Sequence, residues 1–334
     1  MKAVLLTGAG GIDKLELTKI QDPVLDNPQF ILVRIHAAGI NPVDYKLRKA
    51  GGFYPNRLPL ILGCDGAGVV EAVGNAVTRF KVGDEVYFCN GGMGGDEQGN
   101  YAELTMIHQD FAAFKPRSLS MEEAASVPLV WLTAWESLVD RCNIKAGQKV
   151  LIHAGAGGVG YIAVQIAKNI GTEVITTISS PKKSEFAKSL GAHYCINYKE
   201  QDFVKEVMKL TNNSGVDIVF DTVGKETFPA SFGATKIYGH VVTLSEDLCN
   251  KEAVNLAKLR NLTVSYELML TPMHFKMHEA RVNQQEMLNN AAKMIDRGDV
   301  CISVNKIFPL EDIGKAHQLI ETGHSTGKIV IKII

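Results

Sequence analysis

The stretch that most constrains this chain is residues 149–170, KVLIHAGAGGVGYIAVQIAKNI. It opens on the apolar run Val150-Leu151-Ile152 and breaks into Gly155-Ala156-Gly157-Gly158-Val159-Gly160. It then carries Ile162, Ala163, Ile166, Ala167 and Ile170 at helical spacing, which reads as strand, tight glycine turn, helix. A glycine turn set between a buried strand and an amphipathic helix is far more specific than a free-standing GxGxxG. Glycine lets the backbone turn sharply and approach a pyrophosphate closely. The helix that follows offers free N–H groups and the positive end of its dipole to that anion. Ala156, Gly157, Gly158 and Val159 are therefore candidate cofactor contacts. The competing reading is a βα turn that binds nothing, and the rest of the chain weighs against it.

Beyond this turn, apolar runs and helical patterns alternate. Strands are expected at 150–153, 173–178, 194–196, 216–221, 240–244 and 263–267, with helices at 159–169, 183–190, 203–210 and 227–234. Alternation at this spacing argues a doubly wound parallel sheet. Ligands of such sheets sit at the carboxyl ends of the strands. Val223, just past one strand, and Leu244 and Ser245, at the end of the next, are expected to flank the cofactor through their backbone.

The preceding residues have another texture. Glycine and proline punctuate short β-type runs at 2–6, 15–20, 30–38, 66–73, 85–88 and 102–106, the pattern of an antiparallel, partly barrel-like domain. A short helix is expected at 42–49. Residues 90–100, NGGMGGDEQGN, read as a mobile surface loop. Ser120 with Glu123 makes a capping box, and 131–141 is a second helical segment. A long helix at 279–297 stops at Gly298. The tail, 302–334, returns to strands around a short helix at 310–322 and is expected to fold back onto the first domain. The expected division is 1–122 with 302–334 as one domain and 123–301 as the other.

An acidic residue about 20 positions past the glycines would bind the adenosine ribose and mark NAD. The window here is Thr176-Thr177-Ile178-Ser179-Ser180-Pro181-Lys182-Lys183, with hydroxyls and ammonium groups and no carboxylate. Charge-assisted bonds to a 2′-phosphate are stronger than neutral ones, so Ser179, Ser180 and Lys183 favour NADPH over NADH. The two lysines also read as a solvated first helical turn, but cations are poorly placed there by the dipole unless an anion is near. Tyr198, after the third strand, reads either as packing on the adenine or phosphate or as a surface tyrosine.

The chain has 334 residues, room for two domains, and a formal net charge of −1, which gives no footprint for nucleic acid or an anionic membrane. No apolar run approaches the ~18 residues a membrane span needs. The opening MKAVLLTGAGG reads as a first strand rather than a signal peptide. Cys64, Cys89, Cys142, Cys195, Cys249 and Cys301 are scattered, with no CxxC, as reduced thiols of a cytoplasmic enzyme would be.

Several motifs extend the reading over the whole chain. They are Ala38-Gly39-Ile40-Asn41-Pro42-Val43-Asp44, Gly63-Cys64-Asp65-Gly66-Ala67-Gly68-Val69-Val70-Glu71-Ala72-Val73-Gly74 and Phe80-Lys81-Val82-Gly83-Asp84-Glu85-Val86, then residues 154–160, Ala187-Lys188-Ser189-Leu190-Gly191-Ala192, Ile196-Asn197-Tyr198 and residues 323–330. In this order they resemble the medium-chain dehydrogenase/reductase superfamily, in its zinc-free quinone oxidoreductase branch. The resemblance implies an α/β two-domain protein: a GroES-like, partly open β-barrel catalytic domain and a doubly wound Rossmann cofactor domain, with a cleft between them. It implies a homodimer or homotetramer joined through the cofactor domain, with the edge near 262–270. It places Asn41, Asp44 and Tyr45 at the nicotinamide pocket, Asn41 and Asp44 to orient ribose or substrate and Tyr45 as a donor to the developing oxyanion, with Lys46 and Arg48 as rivals. Thr133 would bond the cofactor, or only its own helix backbone. The segment 269–277, MLTPMHFKM, would line the substrate side with an adaptable apolar surface.

Zinc-dependent relatives carry a cysteine at Asn41, Gly-His-Glu at Gly63-Cys64-Asp65 and a third ligand near Leu129. One thiol and one carboxylate do not make three protein ligands, so no zinc is expected, and Cys64 reads as a buried small side chain or a reactive thiol. Without a metal, electron-poor quinones and α,β-unsaturated carbonyls are the acceptors that suit the chain. An alcohol or enoyl-thioester dehydrogenase is the alternative enzyme, and an NADPH-binding sensor or structural protein with little turnover is the alternative of another class.

Overall fold

In the computed structural model, which describes residues 1–54, 56–245 and 249–334, the chain divides into two units: Met1–Leu129 with Leu270–Ile334, and Val130–Met269. The first unit begins with β1 (Lys2–Leu6), β2 (Leu15–Lys19), β3 (Phe30–Ile40), α1 (Pro42–Ala50), β4 (Leu60–Ile61), β5 (Asp65–Val73), β6 (Glu85–Cys89), β7 (Leu104–His108), β8 (Ala113–Phe114) and α2 (Met121–Ala125). β3 shows why it is a strand: Ile31, Val33 and Ile35 are buried at a spacing of two, and Ile31 and Val33 pack with Val70, Val86 and Phe88. The capping box before α2 forms as expected. Ser120 Oγ accepts the Glu123 N–H at 3.2 Å, and Glu123 accepts the Ser120 N–H at 2.8 Å.

The helix α3 (Pro128–Trp135) leads into the second unit and continues as π-helical turns over Glu136–Arg141. There follow β9 (Lys149–Ile152), α4 (Gly158–Ile170), β10 (Glu173–Ile178), α5 (Pro181–Ser189), β11 (Tyr194–Asn197), α6 (Phe203–Leu210), β12 (Val216–Asp221), α7 (Thr227–Ala234), β13 (Thr235–Thr243), α8 (Lys251–Leu259) and β14 (Thr263–Tyr266). The six strands form one parallel sheet in the order β11-β10-β9-β12-β13-β14. The order reverses beside β9, which makes the turn after β9 the switch point of a doubly wound sheet. One helix was not expected: α8 is started by Asn250, whose side chain accepts the Ala253 N–H at 2.8 Å.

The chain then returns through α9 (Thr271–His274), α10 (His278–Asp296), β15 (Val304–Pro309), α11 (Ile313–Glu321) and β16 (Lys328–Lys332). β16 pairs antiparallel with β3, Ile329 opposite Ile40, so the tail does complete the first unit's sheet, in the order β15-β16-β3-β5-β6-β8 with β7 also on β3. A smaller sheet runs β2-β1-β4. The return to the first unit comes at Leu270, earlier than the expected 302, because α10 belongs to it. Met287, Leu288, Ala291 and Ile295 bury one face of α10, and Tyr87 donates its hydroxyl to Leu288 O at 2.5 Å.

Residues 90–100 overturn the expectation of a mobile surface loop. Asn90, Met93 and Asn100 are buried. Asn100 Nδ2 donates to the carbonyls of Gly63, Cys64 and Asn90 at 2.9–3.0 Å. The glycines are there for close approach rather than looseness: a Cβ on Gly91, at φ +71°, would stand 2.0 Å from Gln98 O. Among the described residues no helix is long and apolar enough to cross a membrane.

Candidate cofactor site and buried polar centre

The candidate cofactor half-site is the turn between β9 and α4. Ala154 adopts a left-handed φ of +53°, and a Cβ on Gly155 would lie 2.1 Å from Thr176 Oγ1. A Cβ on Gly160 would lie 2.2 Å from Ala154 O. Only glycine allows both approaches. Gly157 caps α4 without any side-chain hydrogen bond, so the first N–H groups of the helix have no capping side chain to accept from them. That is the arrangement a pyrophosphate fits.

A chain of hydrogen bonds behind the turn fixes it. The Ala154 N–H donates to Thr177 Oγ1 at 3.0 Å, and that hydroxyl lies 3.1 Å from His153 Nδ1. His153 Nε2 lies 3.0 Å from Ser231 Oγ, which donates to Thr227 O at 2.7 Å. The donors are all placed if His153 is neutral with its proton on Nε2. Burial pushes its pKa down to about 4, which keeps it so. At the neighbouring strand end, Asp221 accepts from the N–H groups of Val223 and Gly224 and from Thr243 Oγ1 at 2.8–3.1 Å. Leu244 donates its N–H to Asp221 O and Ser245 donates its N–H to Thr243 Oγ1. Val223, Leu244 and Ser245 thus lie on one shared scaffold.

Ser180 caps α5, its Oγ accepting the Lys183 N–H at 3.4 Å. The parallel pairing of Ile178 with Asn197 sets Tyr198, which is exposed, beside this cap. Lys183 is half-buried. Burial and the neighbouring Lys199 ammonium hold its pKa below the ordinary lysine value. Neither ammonium has an ion-pair partner among the described residues, and two uncompensated cations beside serine hydroxyls fit a phosphate. Lys199 is absent from the sequence expectation. Thr133 is buried within α3.

The first unit holds a buried polar centre. Asn41 precedes α1, and its N–H donates to Asp44 Oδ2 at 2.7 Å. Asn41 Nδ2 donates to Asp65 Oδ2 at 2.8 Å, and the Leu129 N–H donates to Asp65 Oδ1 at 2.8 Å. Lys328 Nζ donates to Asn41 Oδ1 at 2.5 Å and to Ile40 O at 3.0 Å, and lies 3.7 Å from Asp65 Oδ2. Tyr101 donates its hydroxyl to Asp44 Oδ2 at 2.9 Å. Desolvation pushes Asp65 up and Lys328 down, each opposed by the other's charge. Asp44 is the surplus carboxylate: burial raises its pKa to about 7 against its two donors, and its Oδ1 has no partner.

Asn41 and Asp44 are therefore brought together, but Tyr45 stays outside this network, its ring under Lys49 Nζ at 5.1 Å. Cys64 is fully buried. The adjoining Cys89 thiol favours its thiolate, but burial and the flanking Asp44 and Asp65 carboxylates leave its pKa raised, which fits the buried-side-chain reading. All six cysteines are free. Sequence reasoning missed Lys328 and Tyr101. The signal for Lys328 was a lysine opening a buried strand, where lysine is rarely found unless paired.

The comparisons agree with this architecture. The alcohol dehydrogenase GroES-like domain matches residues 27–117, and a domain described as zinc-binding dehydrogenase matches residues 190–331. The chain is 34% identical to the quinone oxidoreductase of Pseudomonas aeruginosa over 331 residues, 99% of each chain. Among solved structures, an alcohol dehydrogenase superfamily protein from Novosphingobium aromaticivorans is 34% identical with a TM-score of 0.92, over the full length of both. The Escherichia coli quinone oxidoreductase complexed with NADPH is 28% identical with a TM-score of 0.86, again over the full length of both. The fold and site are those of an NAD(P)H-dependent oxidoreductase acting on a small molecule. The chain belongs to the medium-chain dehydrogenase/reductase superfamily, in its quinone oxidoreductase-like branch.

Proposed function

We propose that the chain is an NADPH-dependent reductase of quinones or α,β-unsaturated carbonyls that works without zinc. The carrying observation is Lys328. The resemblance puts metal ligands at Asn41, Cys64, Asp65 and Leu129; here an ammonium group lies against Asn41 and Asp65, and Leu129 contributes only its backbone N–H. A buried cation at that place repels a divalent ion and satisfies the carboxylate a metal would need. The donor set that remains holds polar groups in position and offers no Lewis acid, which suits acceptors that are already electron-poor.

NADPH would be held by Ala156, Gly157, Gly158 and Val159 at the pyrophosphate, by Ser179, Ser180, Lys183 and Tyr198 at the 2′-phosphate end, and by Thr133, Val223, Leu244 and Ser245 nearer the nicotinamide. To that second group we add Lys199. When bound, NADPH would supply the hydride. Asn41 and Asp44 act as positioning residues, and Tyr45 donates a hydrogen bond to the oxygen on which negative charge develops. The edge strand β14, with Val264 and Tyr266 exposed and Leu268 exposed just beyond it, is the proposed joint of a homodimer or homotetramer. Free thiols throughout fit a cytoplasmic setting.

The test is NADPH oxidation with a panel of quinones and enals, repeated with NADH and with Lys183→Ala. Turnover with several acceptors is expected. So is a loss of about 10-fold or more in kcat/KM for NADPH alone, since a hydrogen bond to a charged group contributes about 1.5–3 kcal/mol. No oxidation across the panel refutes the reductase. An unchanged NADPH-to-NADH ratio in Lys183→Ala refutes the phosphate pocket.

A further inference from the structure

Among the described residues, one trio of metal-ligating side chains converges, and it lies away from the buried polar centre: His108 at the end of β7, Asp110 in the 3-10 turn that follows, and His278 at the start of α10. Their ligand atoms lie within 4.8 Å of one another. Asp110 Oδ2 stands 3.5 Å from His108 Nδ1 and 3.3 Å from His278 Nε2. Two ligand atoms bound tetrahedrally at the usual zinc–nitrogen and zinc–oxygen lengths are roughly 3.4 Å apart. The imidazole planes are perpendicular, at 89°, with ring centroids 5.2 Å apart.

The imidazoles are held rather than free. His108 packs against Phe30 and Phe111, and His278 packs against Phe111, at centroid distances of 5.1–5.6 Å. His108 Nδ1 accepts the Asp110 N–H at 3.2 Å, a local hydrogen bond that a metal at Nδ1 replaces. The nearby cations are already answered. Arg79 approaches the other carboxylate oxygen, Oδ1, at 3.8 Å, and Arg281 stacks on Phe111 while paired with Glu97.

We propose that His108, Asp110 and His278 form a divalent transition-metal site, selective for zinc-like ions, that fastens the first turn of α10 to the turn after β7. Two imidazoles and one carboxylate with no thiolate suit zinc and reject magnesium or calcium. With three protein ligands the metal keeps a fourth position for water and stays exchangeable. The site is separate from the oxidoreductase chemistry and does not depend on it.

The experiment is equilibrium dialysis of the full chain against zinc chloride at neutral pH, with bound zinc counted by elemental analysis, alongside a thermal melt with and without zinc. Expected are one zinc per chain at micromolar free zinc, a rise in melting temperature, and no response to magnesium. His278→Asn, at an exposed position, should weaken binding at least 10-fold and abolish the rise while leaving the zinc-free melt unchanged. Asp110→Asn should weaken binding likewise. Cobalt titration gives a second reading, with visible absorption in the parent chain and none in His278→Asn. Absence of stoichiometric zinc below millimolar concentration, or equal zinc binding by His278→Asn, overturns the proposal.

Discussion

Asp44→Asn is expected to stabilise this protein at alkaline pH, although it removes a charged group from a hydrogen-bonded network. Asp44 is fully buried, its Oδ2 accepts from the Asn41 N–H and the Tyr101 hydroxyl, and its Oδ1 meets nothing. Desolvation raises its pKa from 3.8 to about 7. Because the folded pKa lies above the unfolded one, the protonated carboxyl belongs to the fold. Its contribution is complete below the unfolded value and is lost as pH rises through the folded value. Between pH 5 and pH 8 the loss works out at about 2.6 kcal/mol. An asparagine keeps the acceptor facing Asn41 and Tyr101 and cannot ionise. The variant's advantage over the parent should grow by roughly that amount between pH 5 and pH 8. Chemical denaturation followed by circular dichroism at the two pH values measures the difference, and the comparison cancels every other titrating group. Parallel midpoints for parent and variant at both pH values would refute the assignment of the surplus charge to Asp44.

Two further substitutions probe the supports of each half-site. Lys328→Met leaves Asp65 buried without a counter-ion, and breaking one side of such a pair costs about 3–5 kcal/mol; a denaturation midpoint close to the parent's would mean that the ammonium is not the ion holding this centre. Thr177→Val strips the acceptor from the Ala154 N–H and the neighbour from His153 Nδ1, each buried group left unpaired costing about 1–3 kcal/mol. NADPH binding, followed by the quenching of protein fluorescence, should weaken because the left-handed turn at Ala154 loses its tie; unchanged affinity would show that the glycines alone set the turn.

The legible parts of this molecule were those governed by neighbours in the chain. The strand-turn-helix at 149–170, the capping box at Ser120 and Glu123, and the alternation that makes a parallel sheet all rest on spacings of a few residues. The expected strands and helices of the second unit appear within a residue or two, except that β13 begins at Thr235 rather than 240 and α3 at Pro128 rather than 131. The loop at 90–100 misled because glycine-rich polar sequence signals looseness as readily as close approach. Asn100, which pins it to Gly63 and Cys64, lies far from those carbonyls in sequence. The return of the chain at Leu270 rather than 302 was hidden for a like reason: α10 is an ordinary amphipathic helix, and its sequence does not say which sheet it covers.

By itself, then, the sequence determined a glycine turn between strand and helix with no acid about 20 residues beyond it, and an antiparallel domain before it. Tertiary structure decided what surrounds Asn41 and Asp65. The antiparallel register of β16 on β3, Ile329 against Ile40, carries Lys328 to Asn41 and Asp65, an ammonium meeting partners more than 260 residues away in the chain. It likewise brought His278 to His108 and Asp110. Local propensity acts over about one helical turn or one strand pair, whereas these charges find each other only after the sheet has closed and α10 has docked, and no spacing along the chain encodes that meeting.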